Sequence, residues 1–164
     1  MLCIGVNIKD QTLGVTDSVN GVCIKSYLVS TSKYGVGQEM GSYKTPIGKH
    51  YIRAKIGDGA PSNAVFVGRR RTGEIFNSNL RDQFPQRDWI LTRIMWLSGC
   101  ELGVNRLGQV DTMRRFIYIH GAPDDVEMGI PGSIGCIRMR NVDLVELFDL
   151  VDVGTSVNID NGEG

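Results

Sequence analysis

The fold is decided by Ile117-Tyr118-Ile119-His120-Gly121-Ala122-Pro123 together with Gly129-Ile130-Pro131-Gly132-Ser133-Ile134-Gly135-Cys136-Ile137-Arg138-Met139. The first segment is a β-branched and aromatic run, typical of a strand, that ends at a histidine and a glycine. The second begins as a loop rich in glycine and proline and arrives at a cysteine that follows a glycine. The pattern predicts a strand, a loop that returns to Cys136, and a helix a few residues later.

Cys136 and His120 are the residues through which this pattern indicates chemistry. A cysteine is a good nucleophile only as a thiolate, and a neighbouring imidazole or helix N-terminus lowers its unperturbed pKa of about 8.5. Gly135 allows close backbone approach, so the N–H groups of Gly135 and Cys136 are candidates for an oxyanion hole. Arg138 lies on the same side of an extended chain as Cys136 and is a candidate for binding a carboxylate. Spacing alone leaves open that His120 is a core histidine and Cys136 a small buried residue.

Outside these segments, short runs of β-forming residues alternate with turns. The predicted strands centre on Ile4 to Ile8, Val22 to Val29, Tyr51 to Ala54, Ala64 to Val67, Trp89 to Leu97 and Thr155 to Ile159. One helix is predicted from the spacing of Val142, Val145 and Phe148, with Asn141 or Asp143 as its cap. These elements predict a mainly β fold, a single domain over residues 1–160 and a frayed tail over residues 161–164.

Charge and hydropathy argue against several classes of function. The chain has 164 residues, with 18 Lys and Arg against 18 Asp and Glu, and lacks the basic excess of a nucleic-acid-binding protein. The basic run Arg69-Arg70-Arg71 is interpreted as a solvated turn. No apolar stretch is long enough for a membrane segment, and the first residues alternate like a strand rather than a signal peptide. The expected location is cytoplasmic, or periplasmic if a leader has been removed.

The remaining cysteines, Cys3, Cys23 and Cys100, are interpreted as small buried apolar residues. The chain has no Cys-x-x-Cys pair, and its only histidines are His50 and His120. We therefore predict neither a metal site nor a cofactor.

The motif His120-Gly121, a loop, and then Ser133-x-Gly135-Cys136-Ile137-Arg138-Met139 resembles the signature of the YkuD-type L,D-transpeptidase catalytic domain. Ser30-Thr31-Ser32, the segment Gly41 to Gly48 and the closing segment Gly154 to Ile159 are similar to the layout of that family. The resemblance covers essentially residues 4–159. It departs from the family at Ile134, where a histidine usually precedes the Gly-Cys pair.

This resemblance implies a β-sandwich-like fold with a mixed sheet and one main helix near the C-terminus. It also implies that Cys136 is the nucleophile, that His120 is its base, and that the Gly121 carbonyl orients the imidazole. The N–H groups of Gly135 and Cys136 would bind the oxyanion, and the segment 41–48 would form part of the groove wall.

Several weaker expectations concern substrate contacts. Arg138 is predicted to bind the terminal carboxylate of the substrate, or alternatively to form a salt bridge with Asp143 or Glu146. Tyr118 is expected on the same strand face as His120, either lining the groove or packed in the core. Ser133 is a groove contact or a loop-stabilising hydroxyl. Tyr43 and Thr45 are candidates for touching the substrate.

In the family that the chain resembles, the cysteine attacks the L-centre carbonyl of diaminopimelate in a peptidoglycan tetrapeptide stem, and terminal D-Ala leaves. The expected partners are therefore peptidoglycan stem peptides or muropeptides, and carbapenems are expected to acylate the cysteine. The preferred prediction is an L,D-carboxypeptidase of muropeptide recycling. The alternatives are an L,D-transpeptidase that forms 3-3 cross-links or exchanges D-amino acids, and an inactive module that binds stem peptides.

Overall fold

Alternation of inward and outward side chains with a period of two makes strands the main regular structure of the chain. The computed structural model describes residues 1–162, so residues 163 and 164 of the predicted frayed tail lie outside the described part. The strands are β1 (Leu2–Asn7), β2 (Thr12–Asp17), β3 (Cys23–Ser30), β4 (Gly48–Ile56), β5 (Ala64–Val67), β6 (Arg70–Ile75), β7 (Ile90–Gly99), β8 (Tyr118–Gly121), β9 (Ile137–Met139) and β10 (Ser156–Asp160). The helices are α1 (Ser78–Gln83) and α2 (Asn141–Leu150), with a short 3-10 turn at Gly108–Val110.

The strands form one mixed sheet in the order β4-β10-β1-β2-β3-β9-β8-β7-β5-β6. The pairs β1·β10 and β8·β9 are parallel, and the other strand pairs are antiparallel. Because β4 also pairs with β7, the sheet closes on itself, and the β5–β6 hairpin extends from the start of β7. The prediction of a mainly β fold with a mixed sheet and one main helix near the C-terminus is confirmed.

Helix α2 packs its apolar side into the main core, where Leu144, Leu147 and Phe148 are buried. Ile119 of β8 and Ile137 of β9 belong to the same core and are fully buried. Strand alternation directs their neighbours to the other side of the sheet. Tyr118 accordingly belongs to a second, smaller apolar cluster, which also contains the partly buried Cys136.

The predicted cap of α2 is wrong. The residue at the N-cap position is Arg140, whose side chain forms no capping hydrogen bond, and Asn141 is the first helical residue. The Asn141 side chain is instead buried, where its Nδ2 donates to the Ala122 carbonyl at 2.9 Å and its Oδ1 accepts from the Thr92 hydroxyl at 2.7 Å. Asn141 therefore ties α2 to β7 and to the chain after β8.

Other local predictions failed where packing or pairing overrides the local pattern. Strand β2 was not predicted, although its Leu13 and Val15 are fully buried. The basic run lies only partly in a turn, because Arg70 and Arg71 already belong to β6. Of the three cysteines that were expected to be buried, Cys23 and Cys100 are exposed and Cys3 is partly buried. Neither α1 nor α2 has the length and apolar composition needed to cross a bilayer.

Replacement of Asn141 by alanine should lower the free energy of unfolding by about 2–4 kcal/mol, because the buried Ala122 carbonyl and Thr92 hydroxyl lose their partner. Urea denaturation measures this difference. The control Val142→Ala changes the exposed neighbour on the same helix and should shift the free energy by no more than about 0.5 kcal/mol. Equal stability of the two variants would contradict the role assigned to the buried amide.

Candidate active site

The parallel pairing of β8 with β9 brings the predicted site residues together. His120 lies opposite Arg138 in the register, and Ile119 lies opposite Ile137. One step earlier on the strands, the Tyr118 N–H donates to Sγ of Cys136 at 3.3 Å. One face of these two strands therefore carries Tyr118, His120, Cys136 and Arg138, and the opposite face carries the core isoleucines.

The imidazole of His120 is only 1% exposed and is held by the next residue along the chain. Its Nδ1 lies 2.6 Å from the carbonyl oxygen of Gly121, the contact that the family resemblance implies. A carbonyl only accepts, so Nδ1 carries the proton and Nε2 presents its lone pair. Burial lowers the pKa of His120, and the negative charge of Asp88 opposes this shift in part. The histidine is thus a neutral base of defined tautomer.

The thiol of Cys136 is directed to the backbone beside β8. Its Sγ donates to the carbonyl oxygen of Phe116 at 3.3 Å and accepts from the Tyr118 N–H. Within residues 1–162, no hydrogen bond joins Sγ to His120. Burial raises the pKa of Cys136 to about 12, and the Tyr118 N–H and two arginines reduce this increase only in part.

The expectation of a lowered thiol pKa is therefore wrong for the resting protein. Helix α2 begins only at Asn141, five residues beyond the cysteine in the sequence, and Cys136 instead packs against the apolar cluster around Tyr118. An apolar environment disfavours the charged thiolate.

The loop before Cys136 depends on a glycine and a serine. Gly135 has φ +133°, and a Cβ there would lie 3.3 Å from Cδ1 of Ile117. The Ser133 hydroxyl donates to the Cys136 carbonyl at 2.6 Å and accepts from the Gly135 N–H at 3.2 Å. This supports the loop-stabilising alternative for Ser133, and it occupies one of the two N–H groups expected to bind the oxyanion. The Cys136 N–H is the other of these two groups, and its role as oxyanion donor stays a prediction.

The segment 41–48 contacts this loop as expected, although its two candidate residues behave differently. Thr45 is fully buried; its hydroxyl donates to the Gly135 carbonyl at 2.9 Å and accepts from the Ser32 N–H at 3.0 Å. The expectation that Thr45 touches the substrate is therefore wrong, because its side chain is enclosed by protein. Tyr43 has an exposed ring, a φ of +60° and a carbonyl that accepts from the Ser32 hydroxyl. Its substrate contact stays a prediction.

Arg138 is partly buried and hydrogen-bonds to the Ser30 hydroxyl at 3.2 Å. Its Nε is buried without a partner within residues 1–162, and burial lowers the pKa of the guanidinium. Among the described residues the predicted alternative, an ion pair with Asp143 or Glu146, is not formed, and Glu146 pairs with Lys25 instead. Arg138 therefore retains unused donors beside Cys136, and its role in binding a carboxylate stays a prediction.

Two charged residues near the site were missed by the sequence analysis. Asp88, an exposed residue just before β7, acts electrostatically on His120, Cys136 and Arg138. Arg115 donates to the carbonyls of Gly37 and Lys44 and so holds the wall segment. Neither lies in the motif, and only the fold brings them near it.

Ile134 lies at the edge of the candidate site, whereas His50 lies elsewhere in the interior. Ile134, which replaces the usual family histidine, is 44% exposed at the edge of the loop. His50 is buried elsewhere, between the Gly48 carbonyl at 3.0 Å and the Thr112 hydroxyl at 2.9 Å, and burial lowers its pKa to about 4. Among the described residues, no group of three or more His, Cys, Asp and Glu side chains is arranged to hold a metal ion.

Residues 3–159 match the family of the L,D-transpeptidase catalytic domain, YkuD. The chain therefore belongs to this family, which confirms the resemblance. Two curated relatives, the probable L,D-transpeptidases ErfK/SrfK of Salmonella typhimurium and Escherichia coli, are each 49% identical over 45 residues. That segment is 27% of this chain and only 15% and 14% of the respective relatives.

Solved structures resemble almost the whole chain. A Bdellovibrio bacteriovorus protein superposes with a TM-score of 0.60 at 17% identity, covering 98% of this chain and 48% of that one. An Enterococcus faecium L,D-transpeptidase gives 0.58 at 18% identity, covering 97% and 49%. L,D-transpeptidase 3 from Mycobacterium tuberculosis gives 0.59 at 16% identity, covering 97% and 60%. The chain spans about half the length of these proteins, and the likeness shows a shared fold.

Thr45→Val should lower the free energy of unfolding by about 1–3 kcal/mol, because the shape is kept while the Gly135 carbonyl and Ser32 N–H lose their partner. It should also slow acylation of Cys136 by imipenem. Thr45→Ser keeps the hydroxyl and is the matched control. Wild-type stability and acylation in the valine variant would show that this hydroxyl does not hold the loop.

The raised thiol pKa predicts slow reaction with small electrophiles. Near neutral pH, iodoacetamide should label the exposed Cys23 and Cys100 before Cys136. The labelling rate of Cys136 should rise about tenfold per pH unit in the alkaline range, because only the thiolate reacts. Peptide mass spectrometry of timed samples measures the three rates. Rapid labelling of Cys136 that is already independent of pH near neutrality would contradict the raised pKa.

Proposed function

We propose that the protein is a cysteine enzyme that acylates itself with peptidoglycan tetrapeptide stems. The observation that carries this proposal is the shared sheet face on which His120, of fixed tautomer, lies opposite Arg138 and near Cys136. Membership of the L,D-transpeptidase catalytic domain family supports the class of reaction. A cation, a neutral base and a thiol in one place match the requirements of attack on a peptide carbonyl next to a carboxylate.

Acylation needs no reactant beyond these groups and the stem peptide. The thiol turns from the Phe116 carbonyl to His120, and Nε2 takes the Sγ proton as sulfur bonds to the L-centre carbonyl carbon of diaminopimelate. The Cys136 N–H donates to the oxyanion. When the tetrahedral intermediate collapses, the carbon–nitrogen bond breaks and the D-Ala amine takes the proton from Nε2. A thioester on Cys136 and neutral His120 remain.

The acceptor that releases the thioester determines the product. Water gives a tripeptide, which was the preferred expectation from sequence, and an amine gives a cross-link or an exchanged stem. We favour an amine. The partial relatives are named probable L,D-transpeptidases, and two large apolar side chains, Phe116 and Ile134, are nearly half exposed beside Cys136. Apolar surface next to the thioester disfavours ordered water and suits a second peptide.

A stem-binding module without turnover is the second candidate. The thiol pKa of about 12 and a thiol donating to the Phe116 carbonyl rather than His120 favour it. Such a module would use Arg138 and the groove wall to hold a stem and would leave Cys136 protonated.

Incubation of a disaccharide-tetrapeptide with the protein, with and without excess D-Met, tests the proposal by mass spectrometry. Stems ending in D-Met, or dimers, are expected. Tripeptide alone in both samples would make hydrolysis the activity. An unchanged tetrapeptide, with bound stem detected by calorimetry, would support the binding module.

Two substitutions test the assigned roles in the same assay. Cys136→Ala should abolish turnover and imipenem adduct formation, and His120→Gln should slow acylation by about 10²–10⁴-fold, the usual effect of losing a general base. Cys23→Ala, at an exposed thiol, is the matched control and should retain full activity. Turnover by a folded Cys136→Ala protein would contradict the mechanism.

A further inference from the structure

The turn between β5 and β6 places one arginine against aromatic residues that adjoin the candidate active site. The guanidinium carbon of Arg69 lies 4.7 Å from the ring centroid of Trp96 and 4.8 Å from that of Phe116. One Nη of Arg69 donates to the Tyr118 hydroxyl at 3.0 Å. Two cation–π contacts and a hydrogen bond hold the planar guanidinium in one orientation.

Two of the three residues that hold Arg69, Phe116 and Tyr118, also contact the nucleophile. The Phe116 carbonyl accepts from Sγ of Cys136, and the Tyr118 N–H donates to the same sulfur. Phe116 has φ +56°, a left-handed conformation that aromatic residues rarely adopt, and its ring is half exposed. The strained Phe116 backbone thus presents its carbonyl to the thiol and its ring to Arg69, so Phe116 and Tyr118 link the guanidinium to the nucleophile.

Arg69 has donors left for a ligand. Within residues 1–162 no carboxylate lies within ion-pair distance of it, and Tyr118 uses only one of its several N–H groups. The residue is half-buried, so its charge is held against the aromatic side chains yet reachable from solvent. A fixed guanidinium with free donors fits a carboxylate, which accepts two parallel hydrogen bonds.

We propose that Arg69 binds a second carboxylate of the acyl-donor stem peptide, separate from the terminal carboxylate expected at Arg138. The inference rests on the proposed function. Arg138 contacts Ser30 and lies beside Gly132, whereas Arg69 contacts Phe116 and Tyr118, so the two cations reach different parts of a bound peptide. The ligand is the side-chain carboxylate of diaminopimelate or a free carboxylate of a residue nearer the glycan. Arg69 is thus a specificity-determining residue that selects stems with that carboxylate free.

Calorimetry in the Cys136→Ala background separates binding from turnover. The probes are a tetrapeptide stem with free carboxylates and two stems amidated at one carboxylate each. Arg69→Ala should weaken binding of the free stem about tenfold to hundredfold, the usual cost of a charge-assisted hydrogen bond. It should leave binding of one amidated stem unchanged, and that stem identifies the carboxylate. Arg70→Ala, at an exposed neighbour, should bind all three stems like the parent.

The pattern across the stems distinguishes recognition from a bracing role. Equal weakening of binding of all three stems by Arg69→Ala would mean that Arg69 only supports the side chains of Trp96, Phe116 and Tyr118. Unchanged binding of all three would mean that Arg69 does not contact the stem. Both results overturn the proposal. In protein that retains Cys136, Arg69→Ala should raise KM for the free stem with little change in kcat.

The same measurements separate this inference from the proposed reaction. Binding that depends on Arg69 and on the carboxylate, without turnover by the wild type, would retain the carboxylate site and overturn the reaction. Turnover without any difference between free and amidated stems would retain the reaction and overturn the carboxylate site. Absence of binding and of turnover with every stem would overturn both.

Discussion

The parallel register of β8 and β9 is the constraint on which the rest of the site depends. Ile119 and Ile137 lie opposite each other and are fully buried under α2, which places His120 opposite Arg138 on the other face. A one-residue slip of either strand would turn the isoleucine of that strand away from the core. Burial of such a side chain contributes about 1.5–3 kcal/mol, so the core strongly disfavours that slip. The apolar contacts of α2 thus align the polar groups on the opposite side of the sheet.

Buried hydroxyl groups then hold the irregular segments that a sheet cannot position. Thr45 joins the Gly135 carbonyl to the Ser32 backbone, Ser133 closes the loop onto Cys136, and Ser30 contacts Arg138. Each hydroxyl satisfies backbone or guanidinium groups that burial would otherwise leave unpaired, which is costly in a low-dielectric interior. Loss of one of these hydroxyl groups would leave its partners without a hydrogen bond. The network therefore favours a single arrangement of the loop. Specific geometry at the thiol therefore comes from polar groups, whereas strand register comes from apolar ones.

The sequence predicted those features that follow from local pattern, and missed those that follow from long-range packing. The end of strand β8 at His120 and Gly121 could be predicted, because β-branched and aromatic residues directly precede this pair. Helix α2 could be predicted from the helical spacing of its apolar residues. Burial of Thr45 could not be predicted, since its partner at Gly135 lies ninety residues away along the chain. The effect of the Asp88 charge on His120 could not be predicted either, because only the fold brings the residue before β7 near the site. The direction of the Cys136 pKa shift was predicted wrongly. A sequence motif indicates which residues lie near the thiol, but it does not indicate how far burial removes the thiol from water.

That desolvation bears on how such a site can work. Burial raises the pKa of Cys136 and lowers the pKa of His120, and in both cases it favours the uncharged form. A neutral thiol beside a neutral imidazole avoids the cost of a buried ion pair in the resting protein. Charge would then develop only when a carbonyl is in place, because the oxyanion forms as the imidazole becomes positive and each stabilises the other. A nucleophile of this kind is governed by substrate geometry rather than by its own basicity, so residues that position the stem peptide, rather than residues that ionise the thiol, should dominate its selectivity.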